Sequence, residues 1–180
     1  MRRGRNGPIM KQRTSRSKKK DPILRAADLH HFDLGILAAV QANNLQPLRE
    51  IARSVNLSTP AVARRLQRLR AEGVISQDIS ILDPVAVGRP LTLIVEVSVE
   101  SELVDKLDEV RKRFLASPEI QQCYLVTGEV DFILVITLAN MEEYEPLTRK
   151  LFFAGGNVKN FKTLVAIQRV KVSMSLPLNR

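Results

Sequence analysis

The stretch from Ser58 to Arg70 holds four arginines, Arg64, Arg65, Arg68 and Arg70, and no acid. A guanidinium is planar, permanently charged and forked. It meets a guanine edge with two hydrogen bonds, and it also grips phosphate. Val62, Leu66 and Leu69 recur at three- and four-residue steps, so the stretch reads as a helix with these three turned inward. At ~100° per residue, Arg64 and Arg68 then lie on the opposite face, flanked by Ala61 and Arg65. Ser58 suits the N-cap, Thr59 follows it, and Pro60 fits the first turn. A merely solvated helix face would mix acids with its bases, whereas a one-sided arginine face suits a polyanion. Ser58, Thr59, Ala61, Arg64, Arg65 and Arg68 are therefore the candidate DNA-contacting set.

A second constellation is Thr127-Gly128-Glu129-Val130-Asp131-Phe132. Gly128 allows close backbone approach, and Thr127, Glu129 and Asp131 bring a hydroxyl and two carboxylates to one turn. Carboxylates beside free backbone N–H groups suit a zwitterion such as an amino acid. A plain hairpin turn reads equally well from these residues alone. Thr127, Gly128, Glu129, Asp131 and Phe132 are the candidate effector-binding set.

No other chemistry is legible. His30 and His31 are adjacent and cannot both serve one site, and Cys123 is the single cysteine. No zinc spacing and no phosphate-cradling glycine loop is present. The sequence thus offers no catalytic residues, no metal site and no cofactor site. One cysteine forms no internal disulfide, and a reducing cytoplasm is the expected location. The N-terminus has no apolar h-region and no apolar run approaches the ~18 residues of a membrane helix, so neither secretion nor membrane insertion is expected.

The charge is unevenly placed. The chain of 180 residues carries 28 Lys+Arg and 19 Asp+Glu, a net +9. Ten of the basic residues and one acid fall within 1–27, which leaves 28–180 with 18 of each sign. Residues 1–27 read as a disordered basic tail, and the body is neutral. A cationic arm on a neutral body adds sequence-independent affinity for phosphate.

The elements that must position these residues follow from periodicity. Leu29, Phe32, Ile36 and Val40 mark a helix over 29–43. Pro47 opens a second short helix with Leu48, Ile51, Ala52 and Val55 inward, and Asn56 suits its C-terminal cap. The arginine-bearing helix follows and stops at Gly73. Two short helices joined by a tight turn, the second with a basic face, are a helix-turn-helix spanning about 47–66. Val74-Ile75 and Ile79–Leu82 read as a small β-wing, and 28–89 as the first domain. In the second domain, 90–180, Leu91–Val99 alternates as a strand. A helix follows from Ser101, then strands over 120–127 and 131–138, a helix Met141–Phe152 and a strand over 160–172. The order βαββαβ predicts a ferredoxin-like unit, so the fold class is α+β. Strand 131–138 is apolar at nearly every position, which needs cover on both faces. A second copy of the domain is the economical cover, and a homodimer formed sheet to sheet is expected.

Taken together the residues resemble the Lrp/AsnC family of transcription regulators, over about Asp28 to Leu178. The resemblance is carried by Asp33-Leu34-Gly35-Ile36-Leu37, Leu57-Ser58-Thr59-Pro60, Arg64-Arg65-Leu66, Glu72-Gly73-Val74-Ile75, Leu82-Asp83-Pro84 and Val87-Gly88. It continues through Cys123 to Phe132, Val170-Lys171 and Leu176-Pro177-Leu178. It implies a winged helix-turn-helix that binds double-stranded DNA, joined to a ferredoxin-like sensing domain, in the cytoplasm and on the nucleoid. It also implies homodimers that assemble into larger homo-oligomers, and a small-molecule effector, usually an amino acid, bound near Thr127–Phe132. Two other classes compete. One is a protein that packages DNA without sequence preference, or binds RNA, through its tail. The other is an enzyme similar to the haem-pathway decarboxylases, which needs basic or His groups lining the second domain; both histidines fall in the first.

Overall fold

The structure is a computed structural model that describes residues 29–178. The basic tail over 1–27 lies outside the described residues. Contacts divide the chain into two units, one ending at Asp78 and regaining the chain from Ser175 onward, the other spanning Ile79–Met174.

The first unit is built on three helices, α1 (His31–Ala42), α2 (Leu48–Ser54) and α3 (Thr59–Ala71). Each boundary has a local cause. The His30 N–H donates to Asp33 Oδ2 at 3.0 Å at the start of α1. Pro47 precedes the first residue of α2, and its carbonyl accepts the Glu50 and Ile51 N–H groups. Asn56 has φ +54°, the left-handed conformation that Asn tolerates best after Gly, and it turns the chain between α2 and α3. Ser58 Oγ accepts the Ala61 N–H and caps α3. Gly73, at φ +71°, closes α3, while Val74 and Ile75 both donate to the Leu69 carbonyl. Ile36, Leu37, Ile51, Ala52, Val62, Leu66 and Leu69 form the core. At the close approach of α1 to α2, a Cβ on Gly35 would meet Val55 Cγ1 at 2.9 Å, so the glycine sets the spacing of the two helices. Leu178 packs against this core, and Gln41 exchanges two hydrogen bonds with the backbone of Leu176 at 3.0 and 2.9 Å.

The expected wing strands are not formed: residues 74–90 contain no strand. Ile79, Ile81 and Leu82 are exposed, with no second strand beside them. An isolated two-stranded ribbon is marginal in water, and alternation alone does not create a ladder partner.

The second unit is a four-stranded antiparallel sheet in the order β2-β3-β1-β4. Its strands are β1 (Leu91–Val99), β2 (Ile120–Leu125), β3 (Phe132–Leu138) and β4 (Val158–Val165). Helix α4 (Val104–Leu115) and helix α5 (Tyr144–Thr148) belong to its one covered face. The sheet presents Leu93, Val95, Val97, Leu134 and Ile136 to that core, which Val110, Phe114, Leu147, Leu151 and Phe152 complete. Phe114 meets Phe132 edge-on at 5.4 Å between ring centres, and Phe152 stacks on Phe161 at 4.3 Å.

Two expected elements came out shorter. The helix expected over Met141–Phe152 is α5 followed by one π-helical turn, Arg149–Phe153, and both Leu151 and Phe152 of that turn are buried. The last strand ends at Val165 rather than running to 172. Its only neighbour is β1, whose first residues are reached when Ala166 donates to the Thr92 carbonyl at 2.9 Å. Beyond that point no described residue belongs to a strand.

The outer sheet face was expected to be apolar along β3. Ile133 and Val135 do point outward and are half-buried, while Phe132, Leu134 and Ile136 point into the core. Ile94 lies beside Val135 on this face, Leu164 beside Ile94, and Tyr124 beside Ile133. Ile94, Leu164 and Tyr124 are 38%, 40% and 50% exposed.

Candidate nucleic-acid interface and sensing hairpin

Helix α3 turns Val62, Leu66 and Leu69 fully inward, which fixes the direction of every other side chain on it. Ser58 and Thr59 are exposed at its N-terminus, and Ala61 is half-buried. Backbone N–H groups point outward from the N-terminal end of the helix, the partly positive end that favours an anion.

The three candidate arginines divide. Arg65 Nη1 donates to Asp33 Oδ1 at 2.9 Å, and Arg68 Nη2 donates to Asp33 Oδ2 at 2.8 Å. Asp33 is wholly buried, whereas the Arg65 and Arg68 side chains are 28% and 44% exposed. The guanidinium of Arg65 also lies 5.6 Å above the Phe32 ring. Burial alone would raise the Asp33 carboxyl; the His30 N–H and the two guanidinium groups outweigh it and hold the carboxyl below its ordinary range. Arg64 points directly away from the core, is exposed, and has no ion-pair or hydrogen-bond partner among the described residues. Gln67 is exposed on the same side. Arg70 is drawn off to Asp78 at 2.8 Å.

Asp33 and Gln67 were not singled out from the sequence as site residues. The signal for Asp33 was present: it falls three and four residues before Ile36 and Leu37, on the buried stripe of α1, where an unpaired carboxylate does not persist. Its partners, 32 and 35 residues away, are not readable from spacing.

The hairpin residues divide as well. Thr127, Gly128 and Glu129 are exposed at the tip between β2 and β3, and Gly128 has φ +138° with open space where a Cβ would stand. Asp131 instead turns back onto β1: its Oδ2 accepts the Val99 N–H at 2.8 Å and its N–H donates to the Val97 carbonyl at 2.9 Å. Phe132 is buried in the core against Phe114. The structure thus gathers three of the five residues at the tip and uses the other two to fix the tip to the sheet. Asn157 does similar work nearby, its side chain pairing with the N–H and carbonyl of Ser101 at 3.0 and 3.1 Å.

Among the described residues, no group of three or more His, Cys, Asp and Glu is placed to hold a metal, and no helix is long and apolar enough to cross a membrane. Cys123 is half-buried within β2, and burial pushes its thiol up.

Comparison with known proteins supplies the wider frame. Residues 29–76 match the profile of a winged helix-turn-helix DNA-binding domain, and residues 92–176 match that of the Lrp/AsnC ligand binding domain. An uncharacterised helix-turn-helix-type transcriptional regulator of Sinorhizobium fredii is 45% identical over 153 residues, which covers 85% of this chain and 90% of that protein. The leucine-responsive regulatory protein of Haemophilus influenzae is 30% identical over 164 residues, covering 91% and 99%. Among solved structures, a transcriptional regulator from Neisseria meningitidis in complex with L-Met superposes with a TM-score of 0.77 at 26% identity, over 84% of this chain and 97% of that one. Two consecutive profile matches in this order, and relatives aligned nearly end to end, leave one conclusion: the chain belongs to the Lrp/AsnC family of transcriptional regulators.

Proposed function

We propose that the protein reads a particular double-stranded DNA sequence through α3, and that an amino acid bound at the Thr127–Phe132 hairpin governs that reading through the assembly of two or more chains. The observation that carries the DNA half is Arg64. It is an exposed arginine without a partner among the described residues, directly opposite the buried stripe, on a helix whose neighbouring arginines are held by Asp33. Arg64 and Gln67 are then the base readers. Arg65 and Arg68 keep spare N–H groups and grip the backbone phosphates, beside Ser58, Thr59 and Ala61 at the helix N-terminus.

The sensing half rests on three supports. The chain has an Lrp/AsnC ligand binding domain, and the Neisseria neighbour is a complex with L-Met. The tip residues Thr127, Gly128 and Glu129 stand open, on a hairpin that Asp131 fastens to the edge of the sheet core. The outer sheet face carries Ile94, Val135, Tyr124 and Leu164, which a second copy would cover. Such a regulator works beside the chromosome, in the cytoplasm. The decisive experiment is footprinting of the purified protein on the DNA upstream of its own gene, with and without each of the twenty amino acids. A protected site whose strength changes with one of them supports the reading. Equal coverage of random DNA would instead favour a packaging protein that binds without sequence preference.

A further inference from the structure

Arg65 is enclosed differently from the other arginines of α3. Its Nη1 donates to Asp33 Oδ1 at 2.9 Å, and its guanidinium carbon stands over the Phe32 ring, 5.6 Å from the ring centre. Arg68 shares Asp33 but stands over no ring among the described residues. The Arg65 side chain is accordingly 28% exposed, against 44% for Arg68. Arg64 has neither contact.

The two contacts of Arg65 use different parts of one group. A guanidinium donates hydrogen bonds within its plane and stacks through its faces, so carboxylate and ring do not compete for it. A carboxylate that meets a single arginine can take two parallel hydrogen bonds and fix its plane. Here Oδ2 of Asp33 is taken by Arg68 at 2.8 Å, and Arg65 is left with one bond. One bond at an edge lets the plane swing about the N–H···O line. An aromatic face over which the guanidinium lies removes that swing. Phe32 is suited to the task. It is half-buried in the first turn of α1, directly before Asp33, and the His31 ring braces it at 3.9 Å between ring centres. The remaining N–H donors of Arg65 meet no described residue and are left for a partner outside the chain.

We infer that Phe32 is a positioning residue for DNA binding: its aromatic face holds the Arg65 guanidinium at the tilt in which the remaining N–H groups meet a backbone phosphate. This role rests on the reading of α3 as the DNA-contacting helix. It requires an aromatic ring and not merely an apolar side chain. A leucine fills the space, but it offers no electron-rich face to the cation and lets the plane turn. A phosphate contact carries no base sequence, so Phe32 contributes alike on cognate and random DNA, unlike the base-reading Arg64.

The test titrates the full chain against a random-sequence DNA duplex over a range of salt, followed by fluorescence anisotropy. Arg65→Ala should weaken binding and lower the salt slope by about one. Phe32→Leu should weaken binding about threefold to fivefold, as loss of one cation–π contact implies. Phe32→Met, a second variant without an aromatic face, should match it, and Phe32→Tyr should bind like the wild type. In the Arg65→Ala background, Phe32→Leu should add nothing, whereas a loss of packing alone would appear with or without Arg65. A readout free of DNA is the Arg65 Nε–H resonance of the labelled protein. Ring current should set it apart, so it should move in Phe32→Leu and stay in place in Phe32→Tyr. If Arg65→Ala binds like the wild type, the phosphate grip of Arg65 fails and the role of Phe32 falls with it. If Arg65→Ala weakens binding while Phe32→Leu and Phe32→Met do not, Phe32 alone loses its role. The same holds if Phe32→Leu is as costly without Arg65, if Phe32→Tyr fails to rescue, or if the Nε–H resonance ignores the ring.

Discussion

Arg64 and Arg68 sit one helical turn apart on α3, yet their surroundings predict different behaviour. Arg64 has no partner among the described residues, so replacing it with Ala should leave the fold alone. The expected loss is about 1–3 kcal/mol on the cognate site and little on random DNA, measured by competition gel shift. Arg68 shares the buried Asp33 with Arg65, so its loss affects stability as well as binding. Asp33→Ala is the sharper case. A buried carboxylate that ties two helices together is worth several kcal/mol when both partners are sealed, and less here because Arg68 is about half exposed. A loss of about 1–3 kcal/mol is expected from urea unfolding, together with weaker DNA binding as the two guanidinium groups swing free. The pH dependence has a definite sign. The Asp33 carboxyl is held below its ordinary range, so its contribution is present above about pH 4 and fades as the pH falls through the lower folded value. The gap in urea midpoint between wild type and Asp33→Asn should accordingly be open at pH 7 and narrow below about pH 4.

At the scale of elements, β3 allows a paired comparison. Ile136 points into its own core and Val135 points outward, as the register against Leu93 and Ile94 requires. Ile136→Asp buries a charge within the monomer and should prevent folding. Val135→Asp should leave a folded chain that no longer self-associates, seen by light scattering as loss of the dimer. At the hairpin, Gly128→Val forces a side chain into a conformation that favours glycine, and Asp131→Ala releases the tip from Val99. Both variants should keep DNA binding in a gel shift and lose its response to the effector; a full response would place the sensing site elsewhere. These elements also show how far the sequence could be read. The three helices, their caps at Asn56, Ser58 and Gly73, and the βαββαβ order were legible because each has a local cause within a few residues. The wing and the far end of the last strand were not, because a strand exists only where another lies beside it. Alternation at Ile79 and Ile81 states a capacity to pair, and nothing in it names the partner. The same holds for Asp131 and Phe132: their residue types suggested a ligand, while the fold uses them on Val99 and Phe114.

At the scale of the whole molecule, the formal charge of residues 1–27 equals the net +9 of the chain. Deleting them should flatten the salt dependence of DNA binding and weaken binding to random DNA, with the melting temperature unchanged. An unchanged salt slope would remove this segment from the interface.

The half-covered sheet has a consequence of another kind. Its outer side and the segment from Ile167 to Leu176 leave apolar side chains in water, including Ile167, Val170 and Val172. If a second copy covers that side, as proposed above, the fold gains stability by mass action and its melting temperature should rise with the amount of protein present. Dilution then acts as an input, alongside any metabolite. A cell holding few copies would carry a weaker regulator in two respects at once: fewer molecules, and a smaller fraction of them assembled. Occupancy of a DNA site would then climb more steeply than in proportion to expression. Gene dosage itself would be part of what the protein reports, and a dilution series followed by calorimetry would show it.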